Sequence, residues 1–323
     1  MASPNSSYTE IITTTMQNRS KMLADNVSDN SAILTRLKAK GKIRTVSGGN
    51  VIMQEIEYAE NSNFMWYDGY EQLSIGISDV ITAAEYAWKQ AAVAVTISGK
   101  ELLMNAGKEK MIDLMRSRIT NAERTMVNNI AQSMYSDGTG SASKEIGGLQ
   151  LLVADTNTNT VGGISGTTYS WWRNYVWDVS DHGSTLSSTN VQYHMNQLYM
   201  NLVRNNEAPD LILADNTNYG AYLGSLQTIQ RITDEKMASA GFQNLKYMGA
   251  DVVLDGGRGG NCPSAHFYFL NTDYLYYRPH SERNMVPLDP DRFSTNQDAL
   301  VKLIGWMGNM TCANRFTQGV MKT

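Results

Sequence analysis

An apolar stripe between residues 108 and 136 decides much of what this chain can become. Met111, Met115, Ile119, Ala122, Met126, Ile130 and Met134 recur at intervals of three and four, the spacing of one helix face. At about 1.5 Å per residue, a helix of that length is a rod of roughly 40 Å. Ser98 followed by Glu101 predicts a capping box at the entry, Gly107 interrupts the first turns, and the Asp-Gly-Thr-Gly run at 137–140 stops it. The methionine stripe reads as core and not as a ligand surface.

The segments before the rod are of another kind. Residues 1–30 are rich in Ser, Thr and Asn and carry too little apolar surface to fold alone. Ser31 is placed to cap a short helix through Ala32, Ile33, Leu34 and Leu37 that Gly41 ends. Residues 1–42 therefore read as an arm laid on something else. Ile52, Ile56 and Tyr58 alternate, and so do Leu73, Ile75 and Ile77, across a turn rich in Asn, Asp and Gly. Period-two patterning on both sides of a turn predicts a long hairpin over 43–81. Its tip carries Phe64, Trp66 and Tyr67, large aromatics that a partner covers unless they fold back on their own strands.

A β-rich stretch at 91–98 feeds the rod, so 82–154 reads as one unit. Residues 155–290 read as a compact mixed α/β unit. Helices are expected near 190–205 and 216–230, and strands at 210–214, 251–255 and 266–270. Residues 291–323 read as a strand or hairpin returning to the rod. Regular βαβ alternation is missing, and the class is α+β.

Composition narrows the function. Charged residues are only 18% of the 323, below the roughly 25% of ordinary soluble domains. Asn, Ser, Thr, Gln, 18 Met and 17 Tyr take their place, a polar surface with little self-repulsion that suits contact between copies. The formal net charge of −4 argues against a uniformly basic nucleic-acid binder. No apolar run approaches the roughly 18 residues of a membrane span. The first residues lack the order of a signal peptide. Cys262 and Cys312 form no CxxC pair, which fits a reducing compartment.

Catalytic motifs are scarce. The glycine-rich run at 256–260 lacks a GK[ST] ending and is followed by a strand, so it reads as a surface turn. The run at 162–168 is not a nucleophile elbow, because Gly166 directly follows Ser165. His182, His194, His266 and His280 show no metal-binding spacing. Asp289 and Asp291 flank Pro290 as a turn would. Trp171, Trp172, Tyr175 and Trp177 are able to stack on sugars or bases, but packing under a loop is the favoured reading. No cofactor or metal is expected.

One charge pattern stands out. Arg36, Lys38, Lys40, Lys42 and Arg44 fall at every second position, with no acid among them. Between Arg44 and Lys89 there is no base, while Glu55, Glu57, Glu60, Asp68, Glu71, Asp79 and Glu85 accumulate. Either each set is a solvated face, or a basic arm meets an acidic hairpin on another copy.

The order of these parts resembles the major capsid proteins of tailed bacteriophages, the Hong Kong 97-like capsid fold. The arm, the hairpin, the rod unit and the α/β unit are similar to that family's N-terminal arm, extended hairpin (E-loop), peripheral domain with spine helix, and axial domain. The stretch ITAAEYAWKQAAVAVTISGKELLMN resembles the strand-then-spine entry. NAERTMVNNIAQSMYSDGTG with EIGGLQLLV resembles the spine end and its Gly-Leu step, and GNMTCANRFTQGV the closing peripheral strand.

The resemblance implies a structural protein without catalysis, assembling with itself into the icosahedral head that encloses double-stranded DNA. It implies a virion location after synthesis in the host bacterial cytoplasm. A separate scaffolding protein and a portal are expected partners, with a decoration protein a further one. The family's namesake joins a hairpin lysine to an asparagine on another subunit. Residues 45–80 hold no lysine, so the resemblance implies a non-covalent shell or a separate cementing protein. An encapsulin-like compartment shell is the nearest rival, and a carbohydrate-acting enzyme around Trp171–Trp177 a more distant one.

Overall fold

The computed structural model describes residues 31–100, 108–226, 244–256, 260–293 and 298–323. The expected arm at 1–30, Glu101 of the expected capping box, most of the glycine run near 258 and the side chains of Met111, Met115, Asp289 and Asp291 lie outside the described residues.

Helix α1 spans Ala32–Ala39. Ser31 stands at its N-cap in extended conformation, yet its hydroxyl makes no cap hydrogen bond. The C-terminal signal is built as the sequence predicts. Gly41 turns left-handed (φ +65), its amide donates to Lys38 O at 3.0 Å, and Lys42 N reaches Leu37 O at 2.8 Å. Ala32, Ile33, Leu34 and Leu37 are buried in the chain's own main core. This part of the expected arm is laid on its own chain, because its four apolar residues find the core beneath them.

Strands β1 (Ile52–Glu57) and β2 (Ile81–Tyr86) form the antiparallel base of the hairpin, with Ile52 opposite Tyr86 and Glu57 opposite Ile81. The second strand is not at 73–77 as the alternation of Leu73, Ile75 and Ile77 predicts. Those residues lie on the limb that returns from the tip, and none of the described strands pairs with them.

Strand β3 (Lys89–Ser98) leads towards the rod α2 (Lys108–Ser133), which the Arg118 guanidinium ties back to Thr96 O at 2.7 Å. Ile119, Ala122, Met126, Ile130 and Met134 are buried in the main core. On the outer side a ladder runs along the rod: Thr125 donates to Asn121 O at 2.8 Å, Asn129 to Thr125 O at 2.7 Å, and Ser133 to Asn129 O at 2.7 Å. Carbonyls just past the end of the rod are taken by the Gly-Leu step, with Gly148 N on Ser136 O at 2.9 Å and Leu149 N on Met134 O at 2.7 Å. A Cβ at Gly148 would lie 2.2 Å from Met134 O, so only glycine permits this approach.

After a two-residue hairpin (β4, Thr160–Val161; β5, Ile164–Ser165) comes β6 (Tyr175–Asp178). Helix α3 (Val191–Leu202), strand β7 (Leu211–Ala214) and helix α4 (Asn216–Ser225) follow. Next are β8 (Asn244–Tyr247), β9 (Ala250–Leu254), β10 (His266–Leu270) and β11 (Leu275–Pro279). The chain ends with β12 (Val286–Phe293), β13 (Ala299–Cys312) and β14 (Gly319–Lys322). Six strands make a mixed sheet in the order β6-β14-β10-β7-β9-β8. Val191, Met195, Leu198 and Leu202 of α3 bury against Ile212, Phe267 and Phe269 of that sheet.

A second sheet is organised by β13, which has β3 on one edge and β12 then β11 along the other. Two expectations are corrected here. Residues 275–279 and 286–290 belong to the sheet beside the rod and not to the α/β unit, because β13 is long enough to pair with both β11 and β12. The end of the chain does not stay with the rod: β14 joins the six-stranded sheet, antiparallel to β10 and parallel to β6.

Arg315 stands where the two halves meet and is wholly buried. Its guanidinium donates to Leu152 O (2.7 Å), Trp172 O (3.1 Å), Asn159 Oδ1 (2.9 Å) and Asn174 Oδ1 (2.9 Å). It also lies over the Trp172 ring at 5.9 Å. Nothing in its sequence context marked it out.

Candidate assembly surfaces

The hairpin is anchored at its base and unsupported beyond it. Gln54, on the buried face of β1, accepts from Arg278 Nη2 at 2.7 Å and from Thr311 Oγ1 at 3.3 Å. The Tyr86 hydroxyl donates to Cys312 O at 3.1 Å and accepts from Cys312 N at 3.3 Å. Tyr58 stacks on Trp171, ring centroids 5.4 Å apart. Past Tyr58 N on Val80 O (3.0 Å), the two limbs stay side by side through side chains: Ser62 N to Ser78 Oγ, Asn63 Nδ2 to Gly76 O, and Ser74 N to Met65 Sδ. The tip turns at Asp68–Glu71, closed by Glu71 N on Asp68 O and by Asp68 N on Glu71 Oε2, both at 3.2 Å.

The outward surface of this arm is apolar and acidic together. Phe64, Trp66 (87% exposed) and Tyr67 are accompanied by Met53, Tyr70, Leu73, Ile75, Ile77 and Ile81, all exposed. Phe64 and Trp66 meet edge to face at 5.6 Å, and so pack on each other more than on their strands. Glu55, Glu57, Glu60, Asp68, Glu71, Asp79 and Glu85 are all exposed. A groove of about 910 Å³ on one side of the base is lined by Glu55, Glu57, Glu60, Glu207, Trp171 and Phe316, among others. Another, of about 580 Å³, has Asp79, Ile81, Glu85 and Tyr169 among its walls.

The basic stripe has a different setting. Arg36 reaches Asp210 at 2.8 Å and Asp251 at 3.3 Å. Lys40 reaches Asp210 at 3.2 Å and Asp273 at 3.0 Å, and Lys42 reaches Asp273 at 3.5 Å. Asp210 also accepts from Thr272 N at 2.7 Å. Burial alone would raise the Asp273 carboxyl, but the ammonium groups of Lys40 and Lys42 hold it below the usual range. Arg44 lies over the Tyr276 ring at 5.3 Å. Arg36, Lys40 and Lys42 are thus ion-paired within the chain, where they tie α1 and the residues after it to Asp210, to Asp251 of β9 and to Asp273 just before β11. Lys38 and Arg44 are exposed.

Trp172 is buried and donates to Val161 O at 3.0 Å, while Trp177 stacks on His182 at 4.0 Å and donates to His194 Nδ1 at 3.2 Å. Among the described residues, no three His, Cys, Asp or Glu side chains are grouped to hold a metal. None of the described helices is long and apolar enough to cross a membrane.

No protein-family model matches the chain, and no curated protein matches it in sequence. Solved structures do match. The capsid asymmetric unit of cyanophage A-1(L) superposes with a TM-score of 0.66 at 15% identity, over 87% of this chain and 90% of that one. A structure of Mycobacterium phage Bobi gives 0.55 at 9% identity over 90% of each chain. The capsid of a native GTA particle gives 0.54 at 10% identity over 88% of each. With its extended hairpin, its rod beside a β13-centred sheet and its six-stranded α/β unit, the chain has the Hong Kong 97-like capsid fold.

Proposed function

We propose that this chain is the major capsid protein of a tailed phage, a shell subunit that assembles with its own copies around double-stranded DNA. The observation that carries the reading is the arm. Nine large apolar side chains between Met53 and Ile81 stand in solvent, and between Tyr58 and Ile81 the excursion adds no buried apolar residue to the chain's own core. Exposing that much apolar surface is unfavourable by roughly 25 cal/mol per Å² until a neighbour covers it. The capsid fold supplies the neighbour in the form of further copies. The proposal assigns the chain no catalysis, places it in the virion, and gives it a scaffolding protein and a portal as assembly partners.

Phe64, Trp66 and Tyr67 are assigned the apolar part of the contact, with Glu55, Glu57 and Glu60 supplying charge at the base. The test is assembly of the purified protein followed by negative-stain microscopy. Closed cages are expected, and small particles under every salt condition would overturn the proposal. Reversing Glu55, Glu57 and Glu60 to lysine is expected to make assembly slower and salt-dependent. If that variant assembles like the parent at low and high salt, the hairpin base is not a contact.

A further inference from the structure

The sequence contains three Asp–Gly steps, at 68–69, 137–138 and 255–256, and no Asn–Gly step. An aspartate before glycine is able to close on the main chain. The glycine amide nitrogen attacks the aspartate Cγ, a C–N bond forms, the Cγ–O bond breaks and one water leaves. The resulting five-membered imide takes up one water at either carbonyl. One opening restores aspartate; the other gives isoaspartate, with the former side-chain carbon now in the main chain. Solvent water is the only co-reactant, and no electrons change hands. The reaction needs a carboxyl free to turn towards the next amide, open space at the glycine, and a main chain able to swing.

The three steps differ in each requirement. Asp137 is held by its neighbour: Oδ1 accepts from Thr139 N at 2.9 Å and from Thr139 Oγ1 at 2.7 Å. These bonds keep its carboxyl below the usual range and so thin out the neutral acid from which water is lost. A Cβ at Gly138 would stand 3.2 Å from Gly147 Cα, so that backbone is packed.

Asp255 is fixed on both sides. Its carboxylate accepts the Tyr135 hydroxyl, its amide donates to Ala214 O at 3.0 Å, and its carbonyl accepts from Cys262 N at 2.8 Å. A Cβ at Gly256 would be 2.6 Å from Asn216 N. Burial raises the Asp255 carboxyl, which favours the neutral acid, but the main chain there has nowhere to go.

Asp68 and Gly69 are exposed at the far end of the arm, and a Cβ at Gly69 would meet nothing within 4 Å. The two contacts at 3.2 Å between Asp68 and Glu71 close this turn. We infer that Asp68–Gly69 is a site of spontaneous isomerisation, at which the subunit converts to isoaspartate through a succinimide. The product keeps its negative charge, but it lengthens the main chain at the tip and removes the geometry in which Glu71 closes the turn. The inference goes beyond the proposed function and is tested on the isolated chain, so its outcome is separate from that of the shell reading.

The purified protein is held at mildly acidic pH and body temperature in water enriched in heavy oxygen. Isoaspartate is then labelled by an isoaspartyl methyltransferase and mapped by peptide mass spectrometry. Label and heavy oxygen are expected to accumulate in the Asp68 peptide about tenfold or more faster than in the Asp137 and Asp255 peptides, the factor for about 1.4 kcal/mol of barrier. The Asp68→Glu variant keeps the charge and should lose the label at that position. Equal labelling at all three steps would overturn the inference. So would an unlabelled Asp68 peptide from folded protein when the same peptide from denatured protein is labelled.

Discussion

Arg315→Met removes a buried cation while keeping most of the volume, because methionine is long, unbranched and adaptable. The loss is then mainly that of four hydrogen bonds, to Leu152 O, Trp172 O, Asn159 Oδ1 and Asn174 Oδ1. Each buried acceptor left unpaired costs about 1–3 kcal/mol, so the gross penalty is about 4–12 kcal/mol. The two amides are not free to turn and recover it. Asn159 already donates to Leu151 O at 3.3 Å, and Asn174 to Ala154 O at 2.8 Å. Against this, the variant no longer buries a guanidinium, which relieves several kcal/mol of desolvation and leaves a net loss of about 3–5 kcal/mol. Urea unfolding of the unassembled subunit, followed by tryptophan fluorescence, measures the difference directly, since Trp172 lies under the guanidinium. Arg315→Lys should recover only part of it, because an ammonium group does not span four acceptors. A loss below about 1 kcal/mol in both variants, the size of an ordinary substitution, would refute the claim that this side chain joins the two halves.

Three further outcomes are expected. Trp66→Ala should change the subunit's own stability by less than about 0.5 kcal/mol. It should weaken assembled shells by up to about 5 kcal/mol per contact, for roughly 200 Å² of ring at about 25 cal/mol per Å²; equal disassembly midpoints for variant and parent would count against the arm as a clamp. Asp210→Asn should destabilise the subunit by about 1–3 kcal/mol in thermal melts, since it weakens the contacts with Arg36, Lys40 and Thr272 together; unchanged melting would mean that α1 is held by its apolar face alone. Burial alone would lower the His266 imidazole, but its bonds to Asp155 (3.0 Å) and Ser264 O (2.7 Å) bring it above its ordinary value of 6.5. Its stabilising contribution is therefore complete below that value and lost as pH rises through the raised one. Asp155→Asn should flatten this pH dependence of unfolding, and an unchanged slope would assign it to another group.

The rod was legible because its buried stripe is a local pattern: Ile119, Ala122, Met126, Ile130 and Met134 face the core as their spacing predicts. The hairpin was legible as an excursion but not in its pairing. Leu73, Ile75 and Ile77 alternate as a strand does, yet none of the described strands pairs with them, and the ladder waits for Ile81 to Tyr86. The basic stripe misleads in a similar way. Arg36 and Lys40 sit one turn apart at α1 and share a face, and their nearest acids are distant in sequence, Arg36 and Asp210 being 174 residues apart. Long-range partners of that kind leave no local trace. The same holds for Arg315, one arginine in a polar run, whose role comes from four acceptors on segments far away in the chain.

The ladder on the outer face of α2 gives the rod unequal stiffness. Thr125, Asn129 and Ser133 each lend a second donor to a carbonyl four residues back, which competes with the main-chain bond there and lets that side of the helix lengthen. The face about 100° round the helix from it is held by Met126, Ile130 and Met134 in the core. A load applied to the rod therefore flexes it in one plane, convex towards the ladder, and meets resistance in the other. Amides along the outer edge should exchange with solvent sooner than those above the methionines. A rod made this way bends by small changes spread over several turns.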